Sequence, residues 1–340
     1  MTPAVSVLMP VRNGEAWLGQ GIASVLSQEL ADFELLIVDD GSSDGTPLVL
    51  EQFAGADARI RVIRQEPQGI VAALNRALAA ARAPYLARLD ADDRAMPERL
   101  GRQHAFMQAH SEIVLLGSGA QVIDQSGAVV GRLSPPTGGA ELTRILRRSN
   151  PFIHSTVMMR AAPVRELGGY RAAFLAAEDY DLWLRMAERG EIANLPDQLI
   201  QYRRHAANLS RLAAVRQSFS LRLAQRSAAG RRGPAGDPAR ELLSPPDWWA
   251  RDAETSFFSG DVDFYRFLDS EGANGEAYAS AVRRHFFGLN HAERKLAQLR
   301  LRRLLREIGA PLGFRQLGIL ALIALLHPPR ALGMALGRGK

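Results

Sequence analysis

The groups in this 340-residue chain whose types and spacing point to chemistry are carboxylates. Asp90-Ala91-Asp92 sets two acids two positions apart, with Asp93 next, just past the apolar run Tyr85–Leu89. In extended backbone, residues i and i+2 point to the same side. Hard cations such as Mg²⁺ and Mn²⁺ prefer oxygen ligands and bridge readily to phosphate. A departing diphosphate needs that neutralisation as its bond breaks. The competing reading is a polar loop capping the helix after Pro97, because D-x-D alone has little specificity. Asp39-Asp40 closes another apolar run, where a carboxylate can accept hydrogen bonds from a base N–H or ribose hydroxyls. One of the pair can equally serve the Gly41-Ser42-Ser43 turn. Glu178-Asp179-Tyr180-Asp181 opens a helix, where acids suit the positive dipole end or supply a general base. His154 and His205 stand in polar, loop-like contexts, as structural donors or as ligand contacts.

The elements that must position these groups follow from hydrophobic patterning. Val5–Pro10 predicts a buried strand, and Glu15–Gln28 a helix with Trp17, Ile22, Val25 and Leu26 inward. Leu35–Val38, Arg61–Arg64 and Tyr85–Leu89 predict further strands. Helices are expected from Thr46, a candidate cap, to Phe53 and over Ile70–Ala81. Short strands alternating with helices predict βαβ units and a mostly parallel sheet. Ligands bind outside the carboxyl ends of such strands, where Arg12-Asn13, Asp39-Asp40 and Asp90–Asp93 converge. Further on, Ile113–Leu116 and Gln121–Asp124 predict strands joined through Gly117-Ser118-Gly119, and Asp124–Gly127 a hairpin turn. Glu141–Arg148 and Glu178–Arg189 predict helices, and helical patterns take over after Ser210. Gly230–Pro238 reads as loop or linker.

Composition narrows the classes. With 47% hydrophobic and 23% charged residues, the chain is an ordinary globular one, neither disordered nor coiled coil. The absence of cysteine excludes disulfides, thiolate metal sites and cysteine nucleophiles. Between His291 and Lys340 ten Lys or Arg face only Glu293 and Glu307, while the rest of the chain is close to neutral. A basic tail on a neutral body disfavours nucleic acid as partner and favours a local anionic surface. The first loop, Pro10-Val11-Arg12-Asn13-Gly14, lacks a G-x-G-x-x-G fingerprint, and the first lysine of the chain is Lys295, so there is no Walker lysine. No G-x-S-x-G elbow is present either. No secretory leader is expected before Val5–Met9.

Taken in order, the segments resemble the family 2 inverting glycosyltransferases of GT-A fold. The residues that carry the resemblance begin with Val5-Ser-Val-Leu-Met-Pro-Val-Arg-Asn-Gly-Glu15 and Phe33-Glu-Leu-Leu-Ile-Val-Asp-Asp-Gly-Ser-Ser-Asp-Gly-Thr46. Leu89-Asp-Ala-Asp-Asp93, Met96-Pro-Glu-Arg-Leu100 and Asn150-Pro-Phe-Ile-His-Ser-Thr156 follow. Gly168-Gly-Tyr170, Glu178-Asp-Tyr-Asp-Leu-Trp-Leu-Arg185 and Tyr202-Arg-Arg-His205 close the series, which spans about residues 4–210. The resemblance implies a mixed, mostly parallel α/β sheet flanked by helices in residues 1–210. A helical region with a basic amphipathic tail would fill 211–340, with a linker at about 230–238. It also implies roles. Asp40 would bind the nucleotide base, with Pro10, Val11, Arg12 and Asn13 along the donor. Asp90 would face the ribose or metal, and Asp92 would ligate a divalent cation, Mn²⁺ or Mg²⁺. Asp179 would be the base that deprotonates the acceptor, with Glu178, His154 and His205 as acceptor or pocket residues. The donor would be a nucleotide-diphosphate sugar, most often a UDP-sugar, and the product a glycan or lipid-linked sugar of the cell surface.

Two positions depart from the family pattern: Arg12 stands where an aromatic is common, and Asn75-Arg76 replaces a frequent Asn-Gly. Gln201-Tyr-Arg-Arg-His205 is not the Q-x-x-R-W motif of processive synthases, so a single-sugar transfer is expected. In the tail, Leu301, Leu304, Leu305 and Ile308 recur at helical spacing among basic residues, ahead of the apolar Leu317–Leu326. At ~1.5 Å per residue that run cannot cross a ~30 Å hydrocarbon core. The tail suits either the inner face of the cytoplasmic membrane or packing on the catalytic domain. The competing functions are a nucleotidyltransferase and a non-catalytic sugar-nucleotide-binding or scaffold protein of a polysaccharide assembly complex.

Overall fold

A computed structural model describes residues 2–205, 211–234, 236–247 and Leu296. One compact unit holds the described residues up to 205 together with 220–245, while 211–219 and 246–247 belong to a second. The two runs of the basic tail, His291–Ile308 and Leu317–Leu326, lie outside the described residues except for Leu296.

The first four strands are β1 (Val5–Val11), β2 (Phe33–Asp40), β3 (Ile60–Gln65) and β4 (Tyr85–Arg88). They alternate with α1 (Leu18–Leu26), α2 (Thr46–Ala56) and α3 (Ile70–Ala80) and pair in parallel, in the order β3-β2-β1-β4. Every residue of β1 and β2 is buried, because helices cover both faces of the sheet. Val5, Val7, Met9, Leu35 and Ile37 join Leu18, Ile22, Val25 and Leu50 in one core. Strand alternation sends Leu8, Leu36 and Val38 to the opposite face, where α3 packs on β1 and β2.

The chain continues through β5 (Arg94–Ala95), α4 (Arg99–Ala109), β6 (Ile113–Ile123), β7 (Val129–Leu133) and α5 (Gly139–Leu146). β8 (Met158–Arg160), α6 (Ala161–Glu166), α7 (Glu178–Met186), β9 (Glu191–Arg203) and α8 (Arg211–Arg231) complete it. These strands extend the sheet as β4-β8-β6-β9-β5, with β7 paired to β6. β8 is antiparallel to both neighbours, and β9 runs parallel to β6.

Four local differences from the sequence expectations have physical causes. The first helix begins at Leu18 because Glu15 is committed elsewhere: its carboxylate accepts the Gly45 N–H at 2.9 Å and its own N–H reaches Asp44 at 3.2 Å. Thr46 does not cap α2 but starts it. Its hydroxyl accepts the Gly14 N–H (2.8 Å), and Asp44 accepts the Thr46 N–H (3.0 Å). The two strands expected around Gly117-Ser118-Gly119 are one continuous β6, and its glycines serve close approach. A side chain at Gly117 would strike Asn194 and Phe152. β9 has no counterpart among the sequence expectations, and Pro196 sits within it. Its pairing with β6 jumps from Leu195 to Gln198, a bulge that leaves Pro196 outside the ladder. The Asp124–Gly127 turn is present, with Asp124 Oδ1 accepting the Ser126 and Ala128 N–H groups. In the 230–238 stretch, Arg231 ends α8, and Asp237 accepts from Arg171 at 2.7 Å and from Ser227 at 2.7 Å.

Candidate active site

Parallel pairing puts the carboxyl ends of β1, β2 and β4 on one edge of the sheet, with Val11 beside Asp39 and Leu8 beside Arg88. The loops after β1 and β2 are laced together there. Asn13, in a left-handed conformation (φ 53°), accepts the Ser43 N–H at 2.9 Å and gives its own N–H to Ser42. Asn13 therefore builds the rim, Pro10 and Val11 are buried in β1, and Arg12 is exposed beside it. The two acids after β2 divide the roles. Asp39 makes the turn, accepting the Ser42 N–H at 3.0 Å. Asp40 gathers the next loop, taking hydrogen bonds from Gln65 Nε2 (2.7 Å) and from the Gln68 and Gly69 N–H groups (2.8 Å each). Desolvation pushes its carboxyl up, but those donors and the Arg12 charge outweigh it and leave the pKa below the ordinary range.

Past β4, Asp90, Asp92 and Asp93 bring one oxygen each within 4.8 Å of one another. Asp90 is ion-paired to Arg88 and accepts the Ser155 hydroxyl at 2.9 Å. Asp92 Oδ2 lies 2.9 Å from His205 Nε2. Asp93 is 1% exposed; one oxygen accepts the Arg203 N–H at 2.7 Å and the other has no partner. Desolvation together with the Asp90 charge raises Asp92, and raises Asp93 strongly. An orphaned buried carboxylate oxygen among three acids is costly unless a cation faces it. The hard oxygen donors suit Mg²⁺ or Mn²⁺, so the residues present fit such an ion.

A second acidic pair opens α7. Asp179 accepts Asn150 Nδ2 at 2.8 Å, and desolvation raises its pKa to about 6. Glu178 has one buried oxygen without a partner, and desolvation plus the Asp179 charge raise it to about 7. Groups tuned this close to neutrality suit proton transfer. His154 Nε2 lies 3.2 Å from Tyr170 Oη, and desolvation with the Arg88 charge holds the ring well below its usual pKa. The ring is therefore neutral near pH 7. His205, by contrast, joins the acidic cluster directly.

Comparison with known proteins decides the kind of molecule. The sequence pattern of glycosyl transferase family 2 matches residues 6–168. The putative glycosyltransferase EpsE of Bacillus subtilis (strain 168) is 39% identical over 194 residues, which are 55% of this chain and 68% of EpsE. The chain belongs to glycosyl transferase family 2. Other relatives of this glycosyltransferase include the O-antigen biosynthesis glycosyltransferase WbnJ of Escherichia coli, 31% identical over 64% of this chain and 87% of its own. The amylovoran biosynthesis glycosyltransferase AmsE of Erwinia amylovora is 34% identical over 58% and 75%. Among solved structures, S. aureus TarS 1-349 in complex with UDP aligns over 98% of this chain and 92% of its own, with TM-score 0.56 and 17% identity. The mannosyltransferase PcManGT of Pyrobaculum calidifontis, in complex with GDP-Man and Mn2+, aligns over 100% and 89%, with TM-score 0.52 and 18% identity. At such identities the likeness is one of fold, and the fold is GT-A.

Several site residues of this glycosyltransferase are absent from the sequence expectations. Arg88, 1% exposed, sits between the two acidic groups: it pairs with Asp90, and its charge reaches Glu178, Asp179 and His154. The available signal was its spacing, since positions 88 and 90 share one side of an extended segment. Ser155 and Asn150 lay within a quoted motif without a role. Trp17 was assigned to a helix interior, but its ring stacks on His205 with centroids 4.6 Å apart. Asn75 holds both backbone polar groups of Tyr170 (2.8 and 2.9 Å), which accounts for it without any donor contact.

Proposed function

We propose that this enzyme transfers a single sugar from a nucleoside-diphosphate sugar, with UDP as the nucleotide, to an acceptor hydroxyl with inversion. The observation that carries the reading is the pairing of two acidic centres around one buried cation. Asp90, Asp92 and Asp93 offer oxygens to a cation at the strand ends, while Asp179 stands apart with a pKa suited to a base. Asp179 takes the proton from the acceptor hydroxyl, and the Asn150 amide orients it. One base on the face opposite the leaving group suffices for direct displacement. Asp92, Asp90 and Asp93 would hold Mn²⁺ or Mg²⁺, which when bound neutralises charge on the departing diphosphate. His205 orients Asp92, and Arg12 stands beside the donor. Asp40, three of whose acceptor sites are filled by protein donors, shapes the base pocket through the 65–69 loop. Glu178 and His154 line the acceptor side.

The names of WbnJ and AmsE support an acceptor within cell-surface polysaccharide or lipopolysaccharide assembly. No helix among the described residues is long and apolar enough to cross a membrane. The basic tail of this sequence suits a peripheral seat on the inner face of the cytoplasmic membrane, next to a lipid-linked acceptor. Calorimetric titration of UDP with Mn²⁺, then with EDTA, into wild type and Asp92→Ala tests the donor site. Binding should require both the metal and Asp92; if UDP fails to bind in either condition, the UDP assignment falls. Asp179→Asn should abolish transfer while sparing UDP binding, and retained turnover would remove Asp179 as the base.

A further inference from the structure

The turn that delivers the base is held in a conformation its own sequence does not favour. Ala176, two residues before Glu178, adopts φ 68°, a left-handed geometry that residues with a side chain rarely take. The neighbouring backbone is fastened on both sides. Ala177 N–H donates to the Phe174 carbonyl at 2.8 Å. Ser220, fully buried on α8, donates its hydroxyl to the Leu175 carbonyl at 2.6 Å.

The same part of α8 grips the rest of this corner. Gln225 donates to the Arg148 carbonyl at 2.9 Å, and Tyr180 of α7 donates to Leu146 at 2.7 Å. Arg171, just ahead of the turn, is ion-paired to Asp181 of α7 and to Asp237, and bonds Ser227 of α8 at 3.0 Å. None of Ser220, Gln225, Ser227 and Asp237 lies within the 6–168 stretch that matches the family pattern.

We propose that residues 220–237 latch the catalytic base in place, with Ser220 as the positioning residue. By holding the Leu175 carbonyl it keeps Ala176 left-handed, and so sets where Glu178 and Asp179 enter the site. The inference rests on the reading of Asp179 as base. Its consequence is specific: the latch acts on the rate of transfer, not on donor binding, because the described bonds of Ser220, Gln225, Ser227 and Asp237 run to the α7 corner and within α8 and the segment after it.

The test is a double-mutant cycle of Ser220→Ala and Ala176→Gly, measured by steady-state transfer and by amide hydrogen exchange. Loss of one buried hydrogen bond in Ser220→Ala should lower kcat about five-fold with donor KM unchanged. Exchange across residues 174–180 should speed up while β1–β4 keep their protection. Glycine adopts positive φ without strain, so in the Ala176→Gly background the same change should cost less than about two-fold in kcat. Unchanged kcat and exchange in Ser220→Ala would overturn the latch, and an equal loss in both backgrounds would overturn its action through Ala176. If transfer survives Asp179→Asn, the base assignment fails, and the exchange measurement still decides whether Ser220 holds the turn.

Discussion

His205 Nε2 sits 2.9 Å from Asp92 Oδ2, which joins the residue just past β9 to a loop 113 positions earlier in the chain. The indole of Trp17 backs the imidazole, and the cation–π contact of Arg203 with the same indole, 5.5 Å from its centroid, steadies that support.

Removing the imidazole should therefore loosen the acidic cluster. His205→Ala is expected to weaken Mn²⁺-dependent UDP binding by about 10- to 100-fold, as for other residues that orient ligand carboxylates. Calorimetry with and without Mn²⁺ reads it; an unchanged affinity removes His205 from the site.

Activity and stability should respond oppositely to pH at the base. On the proposed reading Asp179 acts as a carboxylate, so transfer should fall as pH drops through about 6, the value to which desolvation raises it. For stability, a carboxyl raised on folding binds its proton more readily folded than unfolded. Its ionisation therefore costs stability as pH rises from the ordinary carboxylate range through about 6. Asp179→Asn should accordingly raise the melting temperature at pH 8 more than at pH 5. Equal shifts at the two pH values would contradict the desolvated-carboxylate picture.

The buried guanidinium makes a third prediction. Arg88→Met strips the partly exposed Asp90 of its ion-pair partner and should cost about 1–3 kcal/mol, read by denaturant unfolding at neutral pH. Although desolvation pushes the Asp90 carboxyl up, the Arg88 charge and the hydrogen bonds of Arg88 and Ser155 hold it below the ordinary range. The stability this pair contributes is present above that range and is lost as pH falls through the depressed value. The gap between wild type and Arg88→Met should then narrow toward pH 3, and a constant gap would mean that Arg88 acts by packing alone.

The parallel half of the fold was legible in the sequence because β1 and β2 are buried on both faces and read as mostly apolar runs, interrupted by Ser6 and Glu34, that stop at polar residues. The acids at those stops could be found for the same reason. What stayed hidden depends on contacts between distant segments. Gly117 and Gly119 look like a turn until Asn194 and Gln198 arrive beside them, and Pro196 looks like a break until a bulge absorbs it. Arg88 looks like the polar end of a strand, and only the fold shows that it is enclosed by Asp90, Ser155 and the α7 acids. The division of labour between Asp39 and Asp40 was equally invisible, since either could have served the turn.

The strand order also implies a sequence of events during synthesis. β1 to β4, with their helices, occupy the first 88 residues and, among the described residues, pair with one another, apart from β8 on the outer side of β4. β5 pairs only with β9, more than ninety positions later. A growing chain has every pairing of this half in hand before β9 is made, since N-terminal units fold first during synthesis. Asp92 and Asp93 follow that half directly, and their partners His205 and Arg203 come more than a hundred positions later. The acidic cluster is thus held by a strand made long after the sheet half it follows.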